Sequence, residues 1–373
     1  MKIAFVSTIV DYPWGGADFL WTRAAEAAAD RGDTLLLAVS ATVAEHPRVA
    51  ALRARGATIQ LREKETVPVT LGDRIGRRLQ RLLGPTDAVA GALAKFRPDL
   101  VVFSCGATYD LAYFPAWVDW LLASRTPFRV IANWQLENPS LAPAEQERIV
   151  RAFMAADVLC FVSTRNLEVT RRHLGHALPN ACVIHNPLRW QPADTTPWPA
   201  SPPWQLATVS RLDAGKGVHL LLAAAATELP RHGDWRLTIH GRGPAEADLK
   251  EQASRLGLAG HVRFAGYVPD LRAIWENNHL MVSPSIEDGV PMTIPEALLC
   301  RRPVLTTAVG GAGDWVRDGV TGFVSPATTP VAFAKTLRTA WDQRSRWEAM
   351  GETGAAEAAA RYRPDDYLQL IQR

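Results

Sequence analysis

Apolar residues along this chain follow two alternating rhythms. Short unbroken β-type runs occur at Ile3–Ser7, Leu35–Val39, Thr58–Leu61, Leu100–Ser104, Phe128–Ala132, Val158–Val162 and Cys182–His185. Between them lie Ala- and Leu-rich stretches with helical spacing, such as Asp18–Arg31 and Glu145–Ala155. A continuous apolar strand is buried on both faces, and strands separated by helices form a parallel sheet covered on both sides. After residue 205 the series starts again, with runs at Leu206–Ser210, Arg236–His240, Val262–Ala265, His279–Val282, Pro303–Thr307 and Gly322–Val324. The two series are separated by residues 191–204, whose five prolines (Pro192, Pro197, Pro199, Pro202, Pro203) and lack of periodicity mark a linker. The pattern predicts an α/β protein of two doubly wound, Rossmann-like parallel-sheet domains, 1–190 and 205–357. A terminal helix is expected over 358–373, in which 364–373 reads as a short helix that can pack back on the first domain. Ligands of such sheets bind at the carboxyl ends of the strands, so two sheets facing across a cleft would place the main site there.

Bulk properties narrow the field. A length of 373 residues calls for two cores. Net charge is +3, from 41 basic and 38 acidic residues, with no long basic run, which argues against nucleic acid as a partner. The four cysteines, Cys105, Cys160, Cys182 and Cys300, are scattered through apolar stretches and read as buried thiols of a reducing compartment. No His/Cys cluster suggests a metal site. The opening MKIAFVST runs straight into Asp11, Pro13 and Gly15, which fits a first strand rather than a signal peptide. The longest apolar helical stretch, near Val218–Ala226, is about half of what a bilayer requires. A cytoplasmic protein is expected. One segment qualifies that: Arg74, Arg77, Arg78 and Arg81 share a helical face opposite Ile75, Leu79, Leu82 and Leu83. It reads either as a solvated face or as a peripheral contact with an anionic inner membrane surface or a phosphate-bearing lipid acceptor.

Four loops carry candidate chemistry, each between a strand and a helix. Trp14-Gly15-Gly16-Ala17-Asp18 follows the first strand, where glycines let backbone and a helix N-terminus approach an anion. It is not the GxGxxG pattern of dinucleotide sites. Ser210-Arg211-Leu212-Asp213-Ala214-Gly215-Lys216-Gly217 offers two cations, Arg211 and Lys216, suited to a diphosphate whose charge grows as it leaves; the plain alternative is a solvated basic loop. Residues 285–297 hold Asp288 and Glu296, carboxylates able to accept from sugar hydroxyls; Thr293-Ile294-Pro295-Glu296 also has the form of a capping box. Val309-Gly310-Gly311-Ala312-Gly313-Asp314 and Gly241-Arg242-Gly243-Pro244 add glycine-rich turns. Thirteen tryptophans are present; Trp14, Trp117, Trp120 and Trp134 could stack on sugars or serve as core anchors.

These motifs, in this order, resemble the retaining glycosyltransferases of the GT-B fold, the glycogen-synthase-like group 1 enzymes of family four. The resemblance is densest over 208–326. It implies that Arg211 and Lys216 hold the donor diphosphate, helped by Gly15 and Gly16, with Gly243 in the adjoining turn. It implies that Asp288, with the backbone of Gly289, Val290, Pro291 and Met292, meets the donor sugar. Glu296 would hold the ribose and Val268 would lie beside the base. The acidic motif here is D-x7-E, with Asp288 standing where the family usually has Glu. The loop after Phe128–Ala132 lacks the family's histidine and offers Asn133, Gln135 and Glu137 instead; with Trp14 these are the acceptor-side candidates. The implied reaction is hexosyl transfer with retention from a nucleotide-diphosphate sugar, most often UDP-linked, to an unidentified carbohydrate, lipid-linked or small-molecule acceptor, without metal or other cofactor. Two alternatives stay open: an epimerase-like or phosphorylase-like enzyme on the same architecture, and a non-catalytic sugar-nucleotide-binding subunit.

Overall fold

The computed structural model describes residues 1–9, 14–62, 87–134, 140–188, 196–230 and 233–372. The basic segment 74–83, Gln135, Glu137 and Pro192 lie outside the described residues. The remainder clusters into two units. One comprises Met1–Val162, Asn166–Pro187 and Asp365–Arg373; the other comprises Ser163–Arg165 and Leu188–Pro364.

The first unit contains a seven-stranded sheet: β1 (Lys2–Ser7), β2 (Thr34–Ser40), β3 (Thr58–Arg62), β4 (Leu100–Cys105), β5 (Phe128–Ala132), β6 (Val158–Phe161) and β7 (Ala181–Val183). All pairings are parallel, in the order β3-β2-β1-β4-β5-β6-β7. The chain therefore runs outward from β1 in one direction, then returns and runs outward in the other. The loops after β1 and β4 part company at that switch, which is where open α/β sheets take their ligands. Alternation along each strand feeds a core: Ala4, Val6, Val101, Phe103, Val130 and Phe161 join Trp117, Leu121, Ile149 and Phe153 from the helices Pro115–Ser124 and Pro143–Ala155.

The second unit repeats the plan with six strands: β8 (Trp204–Val209), β9 (Trp235–His240), β10 (Val262–Gly266), β11 (Leu280–Ser283), β12 (Val304–Thr307) and β13 (Gly322–Ser325), ordered β10-β9-β8-β11-β12-β13. Its switch lies between β8 and β11. Leu206, Leu237, Ile239, Val282 and Leu305 fill one side of the sheet, with the helices Val218–Glu228 and Pro330–Asp342. Ala207, Met281 and Val304 fill the other, with Leu271, Trp275, Ile294 and Leu298.

The end of the chain differs from expectation. The helix Trp347–Arg361 runs unbroken through the boundary expected at 357/358, because Ala- and Glu-rich sequence favours its continuation. That helix ends ahead of Pro364, before which helical backbone is disfavoured, and the terminal segment holds one 3-10 turn, Asp366–Leu370, within the first unit. There the Arg129 guanidinium donates to the carbonyl oxygens of Gln369 and Gln372, Arg31 donates to Ile371 O at 3.2 Å, and Leu370 and Ile371 are buried. Among the described residues no helix is long and apolar enough to cross a membrane. Cys105, Cys160 and Cys300 are buried free thiols; Cys182 is only half-buried.

Candidate functional site

The carboxyl end of β8 leads into Arg211 and a single 3-10 turn, Ala214–Lys216, before the helix Val218–Glu228 begins at Gly217. Gly217 has φ +65°, and a methyl group there would lie 2.0 Å from the carbonyl oxygen of Pro284, so only glycine fits. The same closeness straps this loop to the one after β11: Ile286 and Glu287 N–H groups donate to Gly215 O at 2.8 and 3.1 Å. Lys216 and the acidic loop are thereby brought together. Lys216 Nζ lies 2.6 Å from Asp288 Oδ2, which also accepts from Ser285 Oγ at 3.2 Å. Arg211 Nε donates to Asp213 Oδ2 at 2.7 Å. Both cations thus sit at the switch of the second sheet, each facing a carboxylate.

Residues 289–292 carry the chain from Asp288 into the helix Thr293–Leu299. A close contact with the loop after β12 sets their path: Gly311 N donates to Gly289 O at 2.6 Å, and a methyl group on Gly310 (φ +49°) would lie 2.1 Å from that same oxygen. Val290 packs against the core on the Ile294 side of the sheet. The capping-box form of Thr293–Glu296 is not used. Met292, already helical in backbone, precedes the first turn with no side-chain cap, and Glu296 N–H goes to Met292 O. Pro295 in the first turn has no N–H to be capped, which removes one reason for such a box. Glu296 itself is fully buried.

The turn after β9 packs on the Arg211 loop. Gly243 has Leu212 O 2.2 Å from where a side chain would start, and Leu212 N–H donates to Arg242 O at 2.9 Å. Val268, after β10, is partly buried on the same sheet face as Val290, whereas Tyr267 is exposed. His240 closes β9 and is buried. Burial and the neighbouring Arg263 push its pKa down to about 4.

In the first unit the glycine loop differs from expectation. Gly15 is extended, with φ −140°, a backbone any residue adopts. Asp18 turns back on the start of the helix Gly16–Asp30, accepting from Gly15 N–H at 3.1 Å and from the Trp21 indole at 3.3 Å. A carboxylate therefore already occupies this helix end, and burial raises its pKa. Trp14 stacks on His46 at 3.4 Å between ring centroids, so one face of its indole is covered. Trp117 is a core residue, stacked on Phe114 with its Nε1 donating to Asp87, and Trp120 packs on the same core. Asn133 stands at the carboxyl end of β5. Its Nδ2 donates to Cys105 O at 2.8 Å, while its buried Oδ1 has no hydrogen-bond partner among the described residues. At the switch between β1 and β4, Asp110 accepts from Thr8 Oγ1 and from Ala107 N–H at 3.0 Å; burial raises its pKa.

Comparison with known proteins bears most directly on the second unit. Residues 198–357 match the family described as glycosyl transferases group 1. The second unit belongs to the group 1 glycosyl transferases. The α-D-kanosaminyltransferase of Streptomyces kanamyceticus is 33% identical over 160 residues, 41% of this chain and 40% of that protein. The D-inositol 3-phosphate glycosyltransferase of Corynebacterium kroppenstedtii is 27% identical over 266 residues, 66% of this chain and 54% of that protein. The chain thus spans about half or less of these relatives' own lengths. Over its whole length the fold is like that of Alr3699/HepE of Anabaena, a protein crystallised in complex with UDP. The TM-score is 0.74 at 20% identity, covering 100% of this chain and 98% of that one. The fold is therefore GT-B in class, built of two Rossmann-like units.

Within the group 1 glycosyl transferase unit, Arg211, Lys216, Gly243, Asp288 and Gly289 meet in loops that touch one another. Glu296, Val268 and Val290 lie on one face of the same sheet. Gly15, Gly16, Trp14 and Asn133 belong to the other unit. Sequence reasoning passed over Asp213 and Ser285, which hold Arg211 and Asp288, and also Asp110 and His240. Asp213 and Ser285 were legible in principle as polar residues flanking the motif. His240 was hidden inside an apolar strand pattern.

Proposed function

We propose that this chain transfers a hexosyl group from a nucleoside-diphosphate sugar, a UDP-sugar first, to an acceptor hydroxyl with retention of anomeric configuration and without a bound metal. The observation that carries the reading is the Lys216–Asp288 pair at the switch point of the second sheet, with Arg211 in the same loop. As the bond from the sugar's anomeric carbon to the β-phosphate oxygen breaks, negative charge gathers on the departing diphosphate. Lys216 and Arg211 are fixed donors for that charge, and fixed donors stabilise a transition state without reorganising. The acceptor oxygen forms its bond to the same face of the anomeric carbon, and its proton passes to the leaving phosphate. Asp288, held by Lys216 and Ser285, is placed to accept from a donor-sugar hydroxyl, and Glu296 from the ribose.

Support from relatives is of two kinds. The kanosaminyl- and inositol-phosphate glycosyltransferases are similar in sequence over 41% and 66% of this chain, and HepE, like this chain in fold, was crystallised with UDP. We assign the acceptor to the first unit, where Asn133 Oδ1 offers a hydrogen-bond acceptor and the partly buried Trp14 an aromatic neighbour. A thermal-shift screen against UDP-, GDP-, ADP- and dTDP-sugars tests the reading, since a ligand of the native state raises the melting temperature by mass action. One nucleotide series should raise it in the wild type, and the shift should vanish in Lys216→Ala. No shift with any series would reject it.

A further inference from the structure

β9 ends in a residue that a plain parallel strand has no use for. Leu237 and Ile239 enter the core on one side of the sheet, which turns His240 to the other, beside its register partner Val209. That is the side on which Val209, Val268, Val290 and the Glu296 helix are packed. His240 is only 6% exposed, and neither Nδ1 nor Nε2 has a hydrogen-bond partner among the described residues. Ser210, just past the end of β8, donates its N–H to His240 O at 3.1 Å, and its buried Oγ is likewise without a partner among the described residues. Gly241 follows with φ +128°. Its N–H reaches Gly266 O at 2.8 Å, and a methyl group there would lie 1.8 Å from Ser210 O. The backbones at the ends of β8, β9 and β10 are thus drawn close to one another beside His240.

Polar atoms buried without partners are costly, and a leucine would fill this place without that cost. Two neighbouring ones at the ligand-binding edge of the sheet imply a partner that arrives from outside. We propose that His240, seconded by Ser210, hydrogen-bonds the nucleoside half of the sugar donor. The inference rests on the glycosyl-transfer reading. Charge decides between the two halves of the nucleotide. The low pKa keeps the imidazole neutral near pH 7, so it presents one N–H donor and one lone pair. A ribose hydroxyl or a base edge matches that pair, while a diphosphate calls for the cations Arg211 and Lys216. Glu296, the expected ribose ligand, and Val268, expected beside the base, are on His240's side of the sheet.

The test is calorimetric titration of wild type, His240→Leu, His240→Gln and Ser210→Ala with UDP, GDP, ADP, dTDP and inorganic pyrophosphate, alongside melting temperatures of the ligand-free proteins. The expected result is that His240→Leu melts no lower than wild type yet binds the preferred nucleoside diphosphate at least tenfold more weakly, with pyrophosphate affinity unchanged. His240→Gln, which keeps a donor and an acceptor, should recover part of the loss, and Ser210→Ala should lose less. Equal nucleotide affinity in wild type and His240→Leu would overturn the proposal. So would a parallel loss of pyrophosphate affinity, which would mean the residue only supports the phosphate loop. A wild type that binds none of the four nucleotides would overturn the glycosyl-transfer reading itself, and this inference with it.

Discussion

Lys216 Nζ and Asp288 Oδ2 stand 2.6 Å apart, although 72 positions separate the two residues in the chain. The loops after β8 and β11 bring them together, and Gly217 permits the approach. With both side chains mostly shielded from solvent, the pair holds the lysine in place before any ligand arrives. Removing the lysine should lower kcat/KM for the sugar donor by a factor of about 10² to 10³, roughly 3 kcal/mol of transition-state stabilisation. Asp288→Asn should also reduce turnover. The two effects should be non-additive by on the order of 1 kcal/mol or more, since contacting residues couple. Nucleotide release measured in a double-mutant cycle checks this; strict additivity would mean that the pair does not act as a unit.

The strap between the loops makes a claim about stability. Gly217→Ala places a methyl group against Pro284 O and asks an L-residue to hold φ +65°. The left-handed backbone alone costs roughly 1 to 2 kcal/mol. The clash should add to that and displace Lys216. Gly257→Ala is the control: φ is +71°, but nothing lies within 4 Å of the added carbon. Urea denaturation should show Gly257→Ala losing about 1 kcal/mol and Gly217→Ala clearly more, with only the latter losing donor binding.

His240 also predicts a pH effect. Its folded pKa, about 4, lies below the unfolded 6.5, so folding favours the neutral ring. Between those values the unfolded chain takes up a proton that the folded chain refuses. Stability therefore falls as pH drops from 6.5 toward 4 and is untouched above that range. At about 1.4 kcal/mol per unit, and allowing for screening at a strand end, the loss is on the order of 2 kcal/mol. His46 and His279, also lowered chiefly by burial, act in the same direction; the buried Asp18 and Asp110, with raised values, oppose it. The informative quantity is the difference: His240→Gln should lose less stability than wild type between pH 7 and pH 4.5 in urea titrations.

Glu296 separates a structural role from a binding one. Its helix starts without a side-chain cap, so Glu296→Gln, which keeps the side chain's size, should leave the melting temperature of the free protein largely unchanged. Nucleotide affinity should fall about tenfold or more, the scale of a lost hydrogen bond to a charged group, roughly 1.5 to 3 kcal/mol. Calorimetry with UDP decides it. Unchanged affinity with a lower melting temperature would return Glu296 to the helix.

All the strands that the apolar runs predict are present, within two residues at every end, because buried parallel strands leave no room for polar interruption. Strand order was less legible. Nothing local in Ile3–Ser7 says that it pairs with both β2 and β4, and that pairing creates the switch point. Arg211, Lys216 and Asp288 stood out as charges at strand ends, but their partners did not. Asp288 meets Lys216 only through a long-range strap, and Asp213 looks like any polar loop residue. His240 was missed because one histidine ending Leu-Thr-Ile-His reads as part of a strand. Its missing partners become visible only once the neighbouring loops are in place. The capping box misled for the opposite reason: a local pattern was complete, yet the helix begins at a different residue.

The most direct measurement is nucleotide release from a panel of sugar donors, with EDTA present and with and without simple sugar acceptors, for wild type, Lys216→Ala and Arg211→Ala. Wild type should free nucleoside diphosphate from one donor series, faster with acceptor and undiminished by EDTA, while both variants fall by two orders of magnitude or more. A wild type that leaves every donor intact, or variants that turn over as fast as wild type, would contradict glycosyl transfer at this loop.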